Sequence, residues 1–419
     1  YEIAFLRPYL TTLGKDVALQ TSTTLFAGGY GTSANPYTIT TAAQLQNMNN
    51  SNVVSQSYYY NLSNNIDLYG VTWTPIGNST TKFTGTFDGL NHTIDRLVIN
   101  RLSTDNIGLF GYTNNATIKN IGITNANVKG GGEVGTIIGR STNSSLLNSY
   151  ASGVLEGNGG ADIGGLVGYN ENSSIDGSNS SVTVAGTISV GGLVGSSHGT
   201  ISNSYSTGNV LSSGFNTGGF IGYNQGTITN AYATGTVGST ADKIGGFVGI
   251  NNAGGNISLS YATGTVTASN SSNIGGFAGA NISSTISSSY ARGSVIGDTF
   301  VGGLVGRNEN TISNSYATGG VSGTQYIGGL TGANLGTISN SYATGSVSGS
   351  SDFGGLSGYN NYVVLNSFWN TATSGTNVGI GSGNTSGATG KTTAELQKIA
   401  TYTTDITDVN ARWNIATDS

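Results

Sequence analysis

The motif Ile163-Gly164-Gly165-Leu166-Val167-Gly168 returns ten times along this chain, and no other feature constrains the fold so tightly. The last glycines of the ten copies are Gly111, Gly139, Gly168, Gly195, Gly222, Gly249, Gly279, Gly306, Gly332 and Gly358, at intervals of 28, 29, 27, 27, 27, 30, 27, 26 and 26 residues. Self-similarity at a period of roughly 20–50 residues marks a solenoid or a propeller. A second motif sits inside each period and reads Thr311-Ile312-Ser313-Asn314-Ser315-Tyr316-Ala317-Thr318-Gly319 in one copy. Other copies centre on Tyr150, Tyr205, Tyr232, Tyr261, Tyr290, Tyr342 and, as a variant, Phe368. A third short apolar segment follows, as in Gly345-Ser346-Val347-Ser348-Gly349. One period is therefore expected to hold three strand-like pieces of roughly 4–6 residues, parted by Gly, Asn and Ser turns.

Such a period suits one coil of an all-β, right-handed parallel β-helix, with about one coil per 26–30 residue repeat. Ten coils at ~4.8 Å make a rod of roughly 48 Å. A propeller blade needs about 40 residues and four strands, and a leucine-rich repeat needs a helical return that is missing here. Stacked coils place like residues in columns. Asn170, Asn224, Asn251, Asn281, Asn308, Asn334 and Asn360 form one asparagine column. Asn120, Asn148, Asn203, Asn230, Asn314, Asn340 and Asn366 form another. Asn tolerates positive φ nearly as well as Gly, and stacked amides ladder; the small Gly and Ala residues are expected to permit tight corners, with Gly free to take positive φ. Leu166, Leu193, Phe220, Phe247, Phe277, Leu304, Leu330 and Leu356 are expected to stack inside.

The ends depart from the repeat, as the terminal units of a solenoid must to cap the open core. Residues 1–30 form an extension or linker containing Leu6, Arg7, Pro8 and Tyr9. Residues 31–106 read as N-terminal capping coils, with a short helix after an N-cap at Thr41. Residues 107–366 are the repeat β-helix, and residues 367–419 a C-terminal capping segment. In the last segment Gly375 to Gly390 reads as a loop, Thr393 to Ile399 as a short helix, and Trp413 as the closure of the final coil. The chain begins at Tyr1 without a visible signal peptide and reads as a piece of a longer precursor.

At these motifs the chain resembles the GLUG repeats of bacterial surface proteins. The GG[LF]VG-x-N and SYATG segments carry the likeness. The run NPYTITTAAQLQ to FTGTFDGLNHTI is similar to the segment that often precedes such repeats, and SFWNTATSG with GKTTAELQ to their usual ending. The resemblance covers about residues 31–415. It implies an exported cell-surface protein, since GLUG repeats occur in filamentous-haemagglutinin-like adhesins and beside the protease domain of IgA-peptidase-like proteins. The HExxH zinc motif of that peptidase is absent, so its activity is not implied here.

Composition narrows the function. Charged residues are 8% of the chain, the net charge is −5, and Lys and Arg total 14, which argues against nucleic acid. No run approaches the ~18 apolar residues of a membrane helix, so no membrane insertion is expected. Cysteine is absent, which removes disulfides and thiolate metal sites. High Gly with 22 Tyr and 12 Phe at fixed intervals fits a repetitive β fold rather than disorder.

Chemistry-bearing candidates are few. His92 beside Asp88 is an acid–base pair or, more simply, a turn; His198 reads as surface. Asp162, Asp242, Asp298 and Asp352 lie at similar points before a GG motif and would line one edge able to hold calcium, or are solvated turn carboxylates. About a dozen Asn-x-Ser/Thr sites, among them Asn61, Asn78 and Asn256, are accounted for by composition. The tyrosine column Tyr150, Tyr205, Tyr232, Tyr261, Tyr290, Tyr316 and Tyr342 is the best binding candidate. Pointing outward it is an aromatic stripe for glycan or protein; pointing inward it is core. Alternation with Ala and Ser favours outward. The adjoining Thr207, Thr234, Thr263, Thr318 and Thr344, interrupted by Arg292, raise ice binding, though exposed strand threonine is ordinary.

No catalytic residue, metal or cofactor is assigned, and the chain is not expected to be an enzyme. The expected role is an extracellular, cell-surface adhesion stalk or passenger contacting a host or neighbouring-cell protein or glycan. Self-association into a filament or sheath is the first alternative, and a carbohydrate-binding or carbohydrate-cleaving β-helix the second.

Overall fold

The computed structural model describes residues 25–398 and 401–402. Leu6, Arg7, Pro8, Tyr9, Ile399 and Trp413 lie outside the described residues. The chain coils into a parallel β-solenoid in which every strand pairs with its counterpart one repeat away. The longest ladder has thirteen strands, running from Tyr37–Ile39 to Val364–Leu365. Thirteen strands at ~4.8 Å span roughly 60 Å.

One coil holds five short strands rather than the three expected from sequence: Gln325–Gly328, Thr331–Asn334, Thr337–Ser339, Tyr342–Ala343 and Val347–Ser348. The GG motif is split, because the chain turns at Gly329-Leu330 between the first and second of these. The second motif is split at Asn340, whose φ is 47°. That asparagine column does adopt left-handed backbone throughout, with φ between 45° and 54° at Asn120, Asn148, Asn203, Asn230, Asn314, Asn340 and Asn366. In other coils Gly177, Leu259 and Ser288 take the same position at φ of 59°, 51° and 47°. Left-handed backbone costs an L-residue with a Cβ and no local hydrogen bond about 1–2 kcal/mol. Leu259 is 62% exposed and so recovers little by packing. Leu259→Asn is expected to stabilise the protein by about 1 kcal/mol, read as a rise in the denaturant midpoint at unchanged slope; an unchanged or lower midpoint contradicts the account.

The motif glycines serve a purpose different from the one expected. Gly293 and Gly306 have no positive φ; a Cβ at Gly293 would sit 1.9 Å from the Gly264 carbonyl oxygen, and one at Gly306 2.4 Å from the Ile274 nitrogen. They are glycine because adjacent coils approach backbone to backbone, while asparagine supplies the left-handed corners.

The inner columns fall where the pattern placed them. Leu166, Leu193, Phe220, Phe247, Phe277, Leu304, Leu330 and Leu356 are all fully buried, and Phe220, Phe247 and Phe277 stack at 4.6 and 4.7 Å. The other asparagine column is buried too and forms an amide ladder. Asn224, Asn251, Asn281, Asn308 and Asn334 each donate to the next asparagine at 2.8–3.0 Å. A serine ladder, not anticipated, lines the corner before each tyrosine. The Ser289 and Ser315 hydroxyls accept the Ser260 and Ser289 amides at 3.3 and 3.2 Å and donate to carbonyls two residues back.

Helix α1, Ala42–Asn47, begins at the expected N-cap, with the Thr41 hydroxyl accepting the Gln44 amide at 3.2 Å. Helix α2, Thr393–Leu396, starts with a capping box between Thr392 and Glu395. The stretch read as a loop from Gly375 to Gly390 instead supplies two more strands. Ile380–Gly383 joins Ser357–Asn360, and Ala388–Lys391 joins Ser367–Asn370. A ladder edge offers a row of unpaired amides and carbonyls, and this template overrides a loop-like composition.

Candidate functional site

The left-handed asparagine corner sets which way the next residues face. After it Ser315 points in, Tyr316 out, Ala317 in, Thr318 out, and Gly319 closes against the coil before. Ala233, Ala262, Ala291 and Ala317 are fully buried, while the neighbouring tyrosines are partly exposed. The column therefore faces outward. Tyr205, Tyr232, Tyr261, Tyr290, Tyr316 and Tyr342 stack in five steps of 4.7–4.9 Å with planes within 5° of parallel. Tyr150 is not part of this stack: its register partners are Gly122 and Asn179, and its ring covers Gly122.

Stacking changes what the column offers. Ring faces are covered by the neighbouring rings, so solvent meets ring edges and a row of phenolic hydroxyls, not open π faces. The ring edge is the positive part of the aromatic quadrupole. Burial pushes the Tyr232, Tyr290 and Tyr342 hydroxyls above the usual tyrosine range, reinforced by adjacent tyrosines, so they stay protonated donors. Beside them run Thr207, Thr234, Thr263 and Thr318, exposed. Arg292 stands in that row, its guanidinium 4.8 Å from the Tyr290 ring and donating to the Tyr316 hydroxyl at 3.3 Å.

A second cluster escaped the sequence reading. Arg140 lies between Tyr112 and Tyr169, 5.4 and 4.7 Å from their rings, and pairs with Glu133 at 2.6 Å and Glu171 at 2.8 Å. His198, expected as plain surface, is half-buried; its Nδ1 lies 2.8 Å from the Tyr169 hydroxyl and its ring packs edgewise on Tyr169 and Tyr223. A polar groove of about 580 Å³ lined by Asn172, His198, Thr200 and Gln225 runs alongside. The signal was available: Tyr112, Arg140, Tyr169 and Tyr223 all follow a motif glycine by one residue, and only counting by register brings them together.

Burial raises the Asp162 carboxyl above the ordinary aspartate range, although the Ser196 hydroxyl donates to it; burial raises Glu133 likewise, whereas the Arg140 hydrogen bond lowers Glu171. A raised folded-state pKa stabilises the fold below the unfolded value and loses that stabilisation as pH rises through the folded value. Asp162→Asn, which keeps the left-handed backbone acceptable, is thus expected to be more stable than the natural chain at neutral pH. The gap should close as pH falls toward the unfolded aspartate value of about 3.9. Denaturant midpoints across pH test this, and a gap that is constant or reversed rejects it.

The other candidates separate. His92 turns to Asn65, with Nδ1 3.2 Å from its Oδ1, while Asp88 accepts from Asn120 and pairs with Lys119. Asp162 and Asp352 share one corner register, but Asp242 and Asp298 sit one and two residues ahead of it. Intervening coils carry Ser189, Asn216, Lys243, Asn273, Phe300 and Tyr326 there, so no acidic edge forms. Among the described residues no group of three or more His, Asp or Glu is placed to hold a metal ion, and no helix is long and apolar enough to cross a membrane.

Five segments, residues 159–185, 186–211, 213–238, 300–322 and 323–348, match the family model of the GLUG motif. The chain carries GLUG repeats. Four of these GLUG segments hold Tyr205, Tyr232, Tyr316 and Tyr342; the coils of Tyr261 and Tyr290 between them keep the same register without matching. Halomucin of Haloquadratum walsbyi is 36% identical over 151 residues, which is 33% of this chain and 2% of that protein. A protein of Evansella cellulosilytica provisionally named as a Gly-rich membrane protein is 38% identical over 112 residues, 25% of this chain and 13% of that protein. The chain therefore spans only a small part of either relative, and neither name is that of an enzyme. A crystal structure of a protein provisionally named as an immunoglobulin A1 protease from Bacteroides ovatus overlaps 81% of this chain and 86% of its own at 20% identity. The TM-score of that overlap is 0.39.

Proposed function

We propose that this GLUG solenoid is a stalk or passenger segment of an extracellular cell-surface adhesion protein, holding its tyrosine–threonine face toward a glycan or protein on a host or neighbouring cell. The observation that carries the reading is that six successive coils repeat one outward tyrosine at 4.7–4.9 Å, followed two residues on by threonine in five of them and by Arg292 in the other, giving an extended surface rather than a cleft. A repeated flat face engages a partner by many weak contacts in parallel. Neighbour-to-neighbour stacking suits a spacer, because stability is distributed along the rod. The relative named as a membrane protein agrees with a location at the cell envelope.

The test is retention of beads coated with the full chain on arrayed glycans and on cell monolayers, with light scattering on the same preparation. Natural beads should be retained, and beads carrying Tyr232→Ser, Tyr261→Ser and Tyr290→Ser together should be retained much less. Equal retention of the two sets sinks the assignment of the face. Growth of the soluble chain into long fibres would replace adhesion by filament assembly.

A further inference from the structure

We infer that the tyrosine–threonine face takes an extended acidic polysaccharide, one whose sugars carry carboxylates, with Arg292 holding a carboxylate of the bound chain. This rests on the adhesion reading and names the ligand class for it.

The charge pattern of the face is the first argument. The outward strands of this face cover residues 205–212, 232–239, 261–268, 290–297, 316–323 and 342–349. Within them there is no Asp, Glu or Lys, and Arg292 is the one charged residue, in a chain whose net charge is −5. Acidic groups sit elsewhere: Asp162 and Glu171 lie on two other ladders, and the carboxylates in the strands of this sheet, Asp67, Asp95 and Glu156, sit in coils before that of Tyr205. The face is thus a carboxylate-free surface with a single central cation. Arg292 has no acidic partner among the described ion pairs; its contacts are the Tyr290 ring and the Tyr316 hydroxyl, which hold the guanidinium fork in place while leaving it exposed. A preorganised guanidinium binds a carboxylate bidentately.

The second argument is the kind of contact available. Neutral sugars commonly bind by laying a ring on an open aromatic face, and here the faces are covered by their neighbours. What remains is a row of phenolic donors, positive ring edges and threonine hydroxyls, all suited to oxygen-rich, anionic groups. The spacing favours a saccharide over a peptide. Same-side groups of an extended peptide recur at roughly 6.8 Å, twice its ~3.4 Å rise, out of step with tyrosine rings every 4.7–4.9 Å. A linear pyranose chain presents one sugar at close to the interval of the coils. The strands of this face are paired on both sides, so no edge is open there for an added peptide strand.

The substitution that tests this is already present in the protein, since threonine fills the Arg292 position in the coils of Tyr232, Tyr261, Tyr316 and Tyr342. Binding of the full chain to an oligogalacturonate and to a cello-oligosaccharide of equal length is measured by calorimetry, for the natural chain and for Arg292→Thr. The natural chain should bind the acidic oligomer about tenfold more tightly than the neutral one, with an affinity that falls as salt is added. Arg292→Thr should bring the two within about twofold at unchanged thermal midpoint. Tyr261→Phe with Tyr290→Phe keeps the stack, removes two donors and should weaken the acidic oligomer too. Equal affinity for both oligomers in the natural chain, or a preference that survives Arg292→Thr, overturns the inference and leaves adhesion standing. Retention on cells with neither oligomer bound also overturns it, in favour of a protein partner. Loss of retention on every surface removes the adhesion reading itself.

Discussion

Asn281→Ala is expected to destabilise the solenoid by about 3–5 kcal/mol, a large fraction of any domain's stability. Asn281 is fully buried and sits mid-ladder. Its amide donates to Asn308 at 2.9 Å and to the Ser284 carbonyl at 3.0 Å, and its oxygen accepts from Asn251 at 3.0 Å. Truncation strands a donor above and acceptors below in a place water does not reach. Each buried, unsatisfied group costs about 1–3 kcal/mol. Chemical denaturation gives the total, and amide exchange locates the loss in the coils around Asn251 and Asn308, because coils couple chiefly to their neighbours. A loss under about 1 kcal/mol would mean that the amides are interchangeable with water. Serine at Asn281 should recover part of the loss, since Ser197 already occupies this column, accepting from Asn170 at 2.9 Å.

Phe247→Ala is expected to cost about 3–5 kcal/mol for a different reason. Phe247 lies between Phe220 and Phe277 at 4.6 and 4.7 Å, rings within 7° of parallel. The neighbouring coils are pinned by backbone hydrogen bonds, such as Phe220 to Phe247 and Phe247 to Phe277, both at 2.9 Å. They cannot move together to fill the space, so the cavity persists and the cost falls at the high end of its class. Phe247→Leu should cost less than about 1.5 kcal/mol, because leucine fills this column at Leu193 and Leu304. Both variants are compared by denaturant midpoint and slope; a leucine variant as weak as alanine would show that ring stacking, not volume, holds the column.

These two residues also mark how much was legible beforehand. A column of identical residues can be found by counting, and counting placed Phe247 in the core and Asn281 in a ladder. It also favoured Tyr316 outside, because the flanking Ser315 and Ala317 are small enough to suit a tight interior. It failed where the cause is contact between coils. Gly293 reads as a flexible corner, yet it is glycine because the Gly264 carbonyl lies where its Cβ would be. Ser289 reads as polar filler, yet its hydroxyl completes a buried amide of the coil before. Arg140 and Glu133 are unremarkable in sequence and become an ion pair only across the corner.

The sequence by itself determined the period and the stacked columns, and favoured the outward sense of the tyrosines, because a repeat that pairs with its own copy has one register that matches every column. Tertiary structure alone decided how each coil is cut into five strands, that Ile380–Gly383 and Ala388–Lys391 extend the ladders, and that the tyrosines offer hydroxyls instead of ring faces. Those outcomes depend on distances between coils, down to a few tenths of an ångström, and the order of residues along one chain does not contain them.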